Sequence, residues 1–183
     1  MTTRTSSTIG ALYGLRDNAK AEIVDGGLVL MSPTGGLPGL AATAIAASLR
    51  AHQRRQGGGH AFGDNVGFVI RLAHRESISP DAAWFTGPVR GLDFLEGAPA
   101  FAAEVRSNGD YGPKAEEAIA AKRADYFAAG TLVVWDVDLM GEEVVRAYRA
   151  DSPLVPTVFR RGAQAEAEPA VPGWLLAVDE LFE

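Results

Sequence analysis

A strand–helix–strand pattern in the second half of the chain limits the fold more than any other feature. Residues 101–106 are short and apolar like a central strand, residues 114–129 have a helical pattern that ends at Gly130, and residues 132–138 are strongly hydrophobic. A helix that connects two such strands places them parallel in one sheet, with a right-handed crossover. The pattern therefore predicts a sheet that contains a parallel pair.

The rest of the chain predicts further strands that make this sheet mixed. Asp25-Gly26 between apolar runs predicts a hairpin over residues 21–31. Further predicted elements are a helix at 40–55, strands at 66–73, 81–85, 143–149 and 157–160, and a helical turn at 178–182. The expected fold class is α/β or α+β, with a sheet of mixed direction.

Length and composition predict one globular domain. The chain has 183 residues, of which 47% are hydrophobic. We expect residues 19–183 to form the domain, and residues 1–18 to be poorly ordered or to hold a short helical turn. The absence of cysteine excludes disulfides, thiolate zinc sites and cysteine nucleophiles, and it favours a cytoplasmic location. We expect no membrane-spanning segment, and a net charge of −6 argues against non-specific coating of nucleic acid while permitting a nuclease.

Two acidic residues lie in or beside apolar strands. Asp81 follows Pro80 at the start of a strand, and Glu104 lies between Ala103 and Val105. A buried carboxylate needs a hydrogen bond, a counter-charge or a metal ion, and two neighbouring carboxylates repel each other unless a cation joins them. Asp81 alone is compatible with a solvent-exposed strand end, and Glu104 with a salt bridge across the sheet. Together they favour a shared divalent metal ion.

Lys122 shares one helix face with Ile119 and Tyr126, because the three are spaced three and four residues apart. This face is predicted to pack on the sheet and to bring the ammonium group beside Asp81 and Glu104. Alternatively, only the stem is buried and the ammonium group reaches the helix edge. Two carboxylates, Mg²⁺ or Mn²⁺ and a lysine describe metal-assisted phosphodiester hydrolysis, in which the lysine stabilises negative charge on the phosphate.

Other candidate sites are weaker. Arg50, Arg54 and Arg55 form a basic patch at the end of the predicted helix, where they either contact a DNA backbone or only complement the helix dipole. The three histidines lie in separate segments without the spacing of metal ligands, which argues against a zinc site. Ser107 has no histidine partner in a recognisable triad, which argues against a serine hydrolase.

Short motifs in a particular order link the chain to a known family. They are Glu22-Ile23-Val24-Asp25-Gly26, Met31-Ser32-Pro33, Pro80-Asp81, Glu104-Val105-x-Ser107, Lys122-x-x-x-Tyr126-x-x-x-Gly130, Val133-Val134-Trp135-x-Val137-Asp138, Val171-Pro172-Gly173-Trp174 and Glu180-Leu181-Phe182. In these motifs the chain resembles the Uma-type restriction endonuclease family, a branch of the PD-(D/E)XK nuclease superfamily. The resemblance runs from about residue 20 to the end of the chain.

The resemblance implies a restriction-endonuclease-like fold, in which helices flank a mixed central sheet and a hairpin opens the domain. It also implies Mg²⁺-dependent cleavage of DNA, often by a homodimer. By their positions in the motifs, Asp81 and Glu104 would be metal ligands, Lys122 the catalytic lysine and Glu22 a supporting acid. Arg106 lies two residues after the Glu, where the superfamily usually has its lysine. Arginine keeps the positive charge there but does not act as a base.

The chain departs from the family pattern at two places near the expected site. Residues 36–39 contain no histidine where family members often have His-Gly, and Asn108 replaces the proline that usually follows Ser107. These departures, together with Arg106 and the acidic net charge, favour a second hypothesis. Under it the chain is a catalytically degenerate relative that serves as a dimeric binding or scaffolding protein.

Overall fold

A computed structural model describes residues 9–14 and 20–183 of the chain. The helices are α1 (Ile9–Tyr13), α2 (Gly36–Gln56) and α3 (Pro113–Ala129), with a closing 3₁₀ helix at Val178–Phe182. The strands are β1 (Ala21–Val24), β2 (Gly27–Leu30), β3 (His60–Phe62), β4 (Phe68–Val69), β5 (Ser77–Ile78), β6 (Ala82–Phe85), β7 (Leu95–Glu96), β8 (Phe101–Val105), β9 (Val133–Val137), β10 (Val145–Arg149), β11 (Ser152–Phe159), β12 (Gln164–Glu166) and β13 (Leu175–Ala177).

The central sheet has six strands and mixed direction. Its spatial order is β11-β10-β9-β8-β6-β3. The strands β8 and β9, which α3 connects, pair in parallel, whereas the other neighbours in this sheet pair antiparallel. The predicted mixed sheet, its parallel pair and the opening hairpin of β1 and β2 are confirmed.

The sheet separates two hydrophobic cores, and the alternation of β8 decides which residues enter each. Phe101, Ala103 and Val105 belong to the core that α2 covers. Ala102 belongs to the other core, together with Tyr126 of α3. Because side chains alternate along a strand, Glu104 lies on the same face as Ala102 and is directed towards α3. The helices therefore flank the sheet, and the acid of β8 lies beneath α3.

Several predicted boundaries were wrong in detail. The strand predicted at 66–73 is reduced to β4, because the following residues turn back to pair β5 with β4. The strands β3, β5, β7, β12 and β13 were not predicted, since each has only two or three residues and too little periodicity. The helix α2 begins at Gly36 rather than at residue 40, because Pro38 lies in its first turn, where the missing N–H is tolerated.

The strand β11 forms one edge of the central sheet. It covers Ser152–Phe159 rather than the predicted 157–160, and among the described strands it pairs only with β10. Pro153 and Pro156 lie within it, as is usual for prolines in edge strands. Leu154 and Val155, between the prolines, are exposed to solvent.

The N-terminal part of the chain is described only between residues 9 and 14, where α1 places Leu12 in a buried position. Residues 1–8 and 15–18 of the segment predicted to be poorly ordered or helical lie outside the described residues. None of the helices in residues 9–14 and 20–183 combines the length and the hydrophobicity that a membrane-spanning segment needs.

Candidate active site

Asp81 lies directly before β6 and next to the end of β8. Its backbone N–H donates to the carbonyl of Ala103 (3.0 Å), which fixes the position of the residue against β8. Its Oδ2 accepts a hydrogen bond from the N–H of Val105 (2.7 Å), and its Oδ1 accepts one from Nζ of Lys20 (2.9 Å). The Asp81 carboxylate is therefore held against the backbone of Val105, next to Glu104.

Glu104 lies between two donors from α3. Its Oε2 accepts a hydrogen bond from Nζ of Lys122 (2.9 Å), and its Oε1 accepts one from the hydroxyl of Tyr126. Burial raises the pKa of the Glu104 carboxyl above its ordinary value, and Lys122 opposes this rise by favouring the charged form. The nearby carboxylates of Asp81 and Glu22 add to the rise, which means that the three acids act on one another.

Glu22, the acid of the opening hairpin, belongs to the same group. Its side chain is only 2% exposed, and its Oε1 accepts the N–H of Ser79 (2.9 Å) and lies 3.1 Å from Nζ of Lys122. Its Oε2 is bound by the guanidinium of Arg75. Lys122 thus joins Glu22 to Glu104. Four of the residues singled out from the sequence, Glu22, Asp81, Glu104 and Lys122, are brought together here.

The carboxylates around Lys122 favour its ammonium form. Burial by itself lowers the pKa of Lys122, but the carboxylates of Glu104 and Glu22 outweigh it, so the pKa lies above the ordinary value of the lysine side chain. A lysine that stays protonated can donate hydrogen bonds and stabilise negative charge, but it cannot accept a proton. Its contacts with Glu104 and Glu22 suit Lys122 to an electrostatic role.

An open cleft of about 1040 Å³ is lined by Glu22, Asp81, Glu104 and Lys122. Its walls come from the hairpin with Val29 and Met31, from the start of α2 with Leu37, from α3 with Ile119, and from the loop that contains Tyr111. The cleft is large enough to admit part of a polymer as well as a small molecule. The carboxylates and Lys122 can therefore meet a substrate that enters from solvent.

Arg106 lies close to the cleft but is fully engaged elsewhere. Its Nε and Nη2 donate to the two carboxylate oxygens of Asp136 (2.7 Å each), and its Nη1 and Nη2 donate to Glu116. Nη1 also approaches the carbonyl of Asp110 (3.5 Å). These contacts account for all five N–H donors of a guanidinium group. A catalytic role for Arg106 remains a prediction that this geometry disfavours, because no donor is left for a phosphate.

Glu116 provides a pH-dependent part of this arrangement. Its hydrogen bonds from Arg106 lower the pKa of the Glu116 carboxyl below its ordinary value of 4.5. Because the pKa of Glu116 is lower in the folded than in the unfolded state, its ionised carboxylate stabilises the fold. This contribution to the free energy of unfolding is fully present above the unfolded pKa and is lost as the pH falls through the folded pKa. Since Glu116 is half exposed, we expect Glu116→Gln to lower the free energy of unfolding at neutral pH by about 1 kcal/mol or less. Urea unfolding between neutral pH and about pH 3 should show this difference shrink below pH 4.5, whereas a constant difference would contradict it.

The basic patch lies away from the cleft. Leu37 and Pro38 at the start of α2 line the cleft, but Arg50, Arg54 and Arg55 lie in the second half of the helix. At a rise of 1.5 Å per residue, Arg54 lies about 24 Å along the helix from Pro38. Nη1 of Arg50 donates to Gln53 of the same helix (2.7 Å). The structure does not bring this patch together with the acids, and DNA binding by it remains a prediction.

Sequence reasoning missed three contributors to the site. Lys20 contacts Asp81, Arg75 contacts Glu22, and the hydroxyl of Tyr126 contacts Glu104. Tyr126 could have been predicted as a contributor, because its sequence spacing places it on the same helix face as Lys122. Lys20 could have been found from its spacing, since it lies two residues before Glu22 and alternation in a strand places both on one side. No local pattern marks Arg75.

The acids satisfy part of what a divalent metal ion requires. Among residues 9–14 and 20–183, no group of three or more His, Asp or Glu side chains is arranged to hold a metal ion. Asp81 and Glu104 both offer hard carboxylate oxygens to the cleft, which Glu22, Asp110 and Asp136 also line. Mg²⁺ is commonly held by one or two carboxylates and keeps several water ligands, so a two-carboxylate site fits it. Such an ion would have to share these oxygens with Lys20 and Lys122.

The fold and the acid–lysine cleft define a restriction endonuclease-like protein. A family model described as "Uma2: Putative restriction endonuclease" matches residues 10–179, and the chain belongs to this family. The fold is similar to that in the "Crystal structure of a putative nuclease belonging to DUF820 from Anabaena variabilis ATCC 29413", with a TM-score of 0.73 and 17% sequence identity over 96% of this chain and 97% of that chain. No curated protein matches the sequence.

Proposed function

We propose that the protein is a metal-dependent endonuclease that hydrolyses phosphodiester bonds in DNA. The observation that carries the proposal is the position of Lys122, whose ammonium group joins Glu104 to Glu22 beside Asp81 in an open cleft. Membership of the Uma2 family supports the reaction class. The metal ion is Mg²⁺ or Mn²⁺, and Asp81 and Glu104 are its ligands.

The bound metal ion would supply an activated water molecule and neutralise charge on the phosphate. The side chains of the chain itself have three tasks. Asp81 and Glu104 hold the ion, and Tyr126 and the N–H of Val105 orient their carboxylates. Lys122 contributes a fixed positive charge for the phosphate oxygens in the transition state, where such groups contribute most. Glu22, held by Arg75 and the N–H of Ser79, keeps Lys122 in place.

A catalytically degenerate relative is the second candidate function. It is favoured by one feature of the site, namely that both oxygens of Asp81 and of Glu104 already accept hydrogen bonds from the protein. With these contacts, Lys20 neutralises Asp81 and Lys122 neutralises Glu104 without a metal ion. Under this alternative the protein would bind or scaffold a partner as a dimer. The homodimer and the cytoplasmic location remain predictions under both candidate functions.

Cleavage of supercoiled plasmid DNA with Mn²⁺ tests the proposal. We expect wild type to nick the plasmid, and Asp81→Asn and Glu104→Gln to lose this activity while remaining folded. Glu117→Gln is the matched control, because Glu117 is an exposed acid on α3. Equal activity in all four proteins would reveal a contaminant or another site. No activity in any of them, with no Mn²⁺-dependent rise in melting temperature, would favour the degenerate relative.

A further inference from the structure

Lys20 lies between two carboxylates at the edge of the site. Its Nζ donates to Oδ1 of Asp81 (2.9 Å) and to Oδ1 of Asp64 (2.6 Å). The Lys20 side chain is only 15% exposed, and its backbone carbonyl accepts the N–H of Met31 (2.9 Å), which ties the residue to the opening hairpin. Lys20 is thus a well-placed second ammonium group in the cleft.

The two acids that hold Lys20 differ in their surroundings. Asp81 is largely buried, and its other oxygen is already bound to the N–H of Val105. Asp64 is 43% exposed, and its Oδ1 also accepts the N–H of Asn65 (2.7 Å). Because Lys20 contacts both acids at once, it can give up Asp81 and keep Asp64. It would then remain paired through its contact with Asp64.

A divalent ion on Asp81 and an ammonium group on the same carboxylate repel each other. The repulsion grows as the separation falls and doubles when one of the two charges is divalent. Both charges therefore cannot share Asp81 without a large loss of affinity for one of them. The contact to Asp64 offers the ammonium group a place away from the ion.

We propose that Lys20 is a resident counter-ion of Asp81 that an incoming divalent metal ion displaces towards Asp64, so that Lys20 sets the metal affinity of the site. The inference rests on the metal site of the proposed function. It makes Lys20 a positioning residue with two states. In one state it neutralises Asp81 without metal, and in the other it is held by Asp64.

Calorimetric titration with Mn²⁺, without any nucleic acid, tests the proposal. We expect Lys20→Met to bind Mn²⁺ about tenfold or more tightly than wild type, which corresponds to about 1.4 kcal/mol per tenfold. Lys20→Arg keeps the charge and should bind like wild type. Lys114→Met is the matched control, because it removes the same charge from an exposed position of α3 and should leave the affinity unchanged. A purely structural Lys20 would instead give equal or weaker binding in Lys20→Met.

A second variant keeps the test valid if Lys20→Met does not fold. Asp64→Asn takes away the alternative partner, so Lys20 should stay on Asp81 and Mn²⁺ should bind more weakly. In a double-mutant cycle, Asp64→Asn should have little effect once Lys20 is replaced, since the two residues then no longer interact. If Asp64→Asn weakens Mn²⁺ binding equally in wild type and in Lys20→Met, Asp64 acts only through its own negative charge and not through Lys20. That result would overturn the proposal.

The outcomes separate this inference from the proposed function. Mn²⁺ binding by wild type that is lost in Asp81→Asn, but is unchanged in Lys20→Met, overturns the role of Lys20 and leaves the metal site standing. Failure of wild type and Lys20→Met alike to bind Mn²⁺ overturns both. Binding by Lys20→Met alone supports the inference and shows that wild type keeps its own site closed to metal.

Discussion

Lys122→Met is expected to reduce Mn²⁺-dependent DNA cleavage about a hundredfold or more, which is the usual loss when one fixed charge at a transition state is removed. Methionine keeps much of the length and volume of the side chain but loses the ammonium group that joins Glu104 to Glu22. The measurement is the rate of plasmid nicking at saturating Mn²⁺. Lys114→Met, the same change at an exposed position of α3, should keep full activity.

The same substitution should also destabilise the fold. Removal of one partner from a buried ion pair commonly costs about 3–5 kcal/mol, and here Arg75 still neutralises Glu22, so we expect about 2–3 kcal/mol in urea unfolding. Activity must therefore be expressed per folded molecule. A variant that is destabilised but cleaves at the wild-type rate would mean that Lys122 serves only as a salt-bridge partner. Lys122→Arg, which keeps the charge with another geometry, should recover stability more fully than activity.

Arg106→Met should lower the free energy of unfolding by about 3 kcal/mol or more. The guanidinium of Arg106 and the carboxylate of Asp136 are both buried, and the substitution leaves Asp136 with only a longer contact to Arg146 (3.7 Å). Urea unfolding at neutral pH measures the effect. Arg71→Met is the control, since the Arg71–Glu96 pair is exposed and should be worth less than about 1 kcal/mol.

A compensating change tests the cause. Arg106→Met combined with Asp136→Leu removes both charges, and replacement of a whole buried ion pair by apolar residues is often neutral or stabilising. We therefore expect the double variant to recover most of the lost stability. A double variant as unstable as Arg106→Met would show that packing around the guanidinium, rather than the unpaired Asp136, explains the loss.

The elements that determine the position of the site could be predicted from the sequence because each has a strong local pattern. The alternation of residues 101–106 placed Glu104 on the face opposite to Phe101, and the helical spacing of Lys122 and Tyr126 placed both towards that face. Those two periodicities together account for the contacts between α3 and Glu104. The parallel pairing of β8 with β9 followed from the connection between them.

Long-range partners could not be predicted in the same way. The sequence indicated a positive charge at Arg106 but not that Asp136 and Glu116 would take up its donors, because these contacts depend on the sheet and on α3 together. Lys20 meets Asp64 and Asp81 across 44 and 61 residues of sequence. The strands β3, β5 and β7 are too short for any periodicity to show, although β3 forms an edge of the central sheet and β5 and β7 pair with β4.

The prolines of β11 also govern how molecules of this protein can meet. A sheet edge normally offers a row of N–H and C=O groups on which another chain can add a strand. With Pro153 and Pro156 in the strand, two of its backbone N–H donors are missing. Growth of the sheet from one molecule into the next is therefore discouraged at this edge, and the exposed side chains of Leu154 and Val155 can make contacts there without extending the backbone ladder.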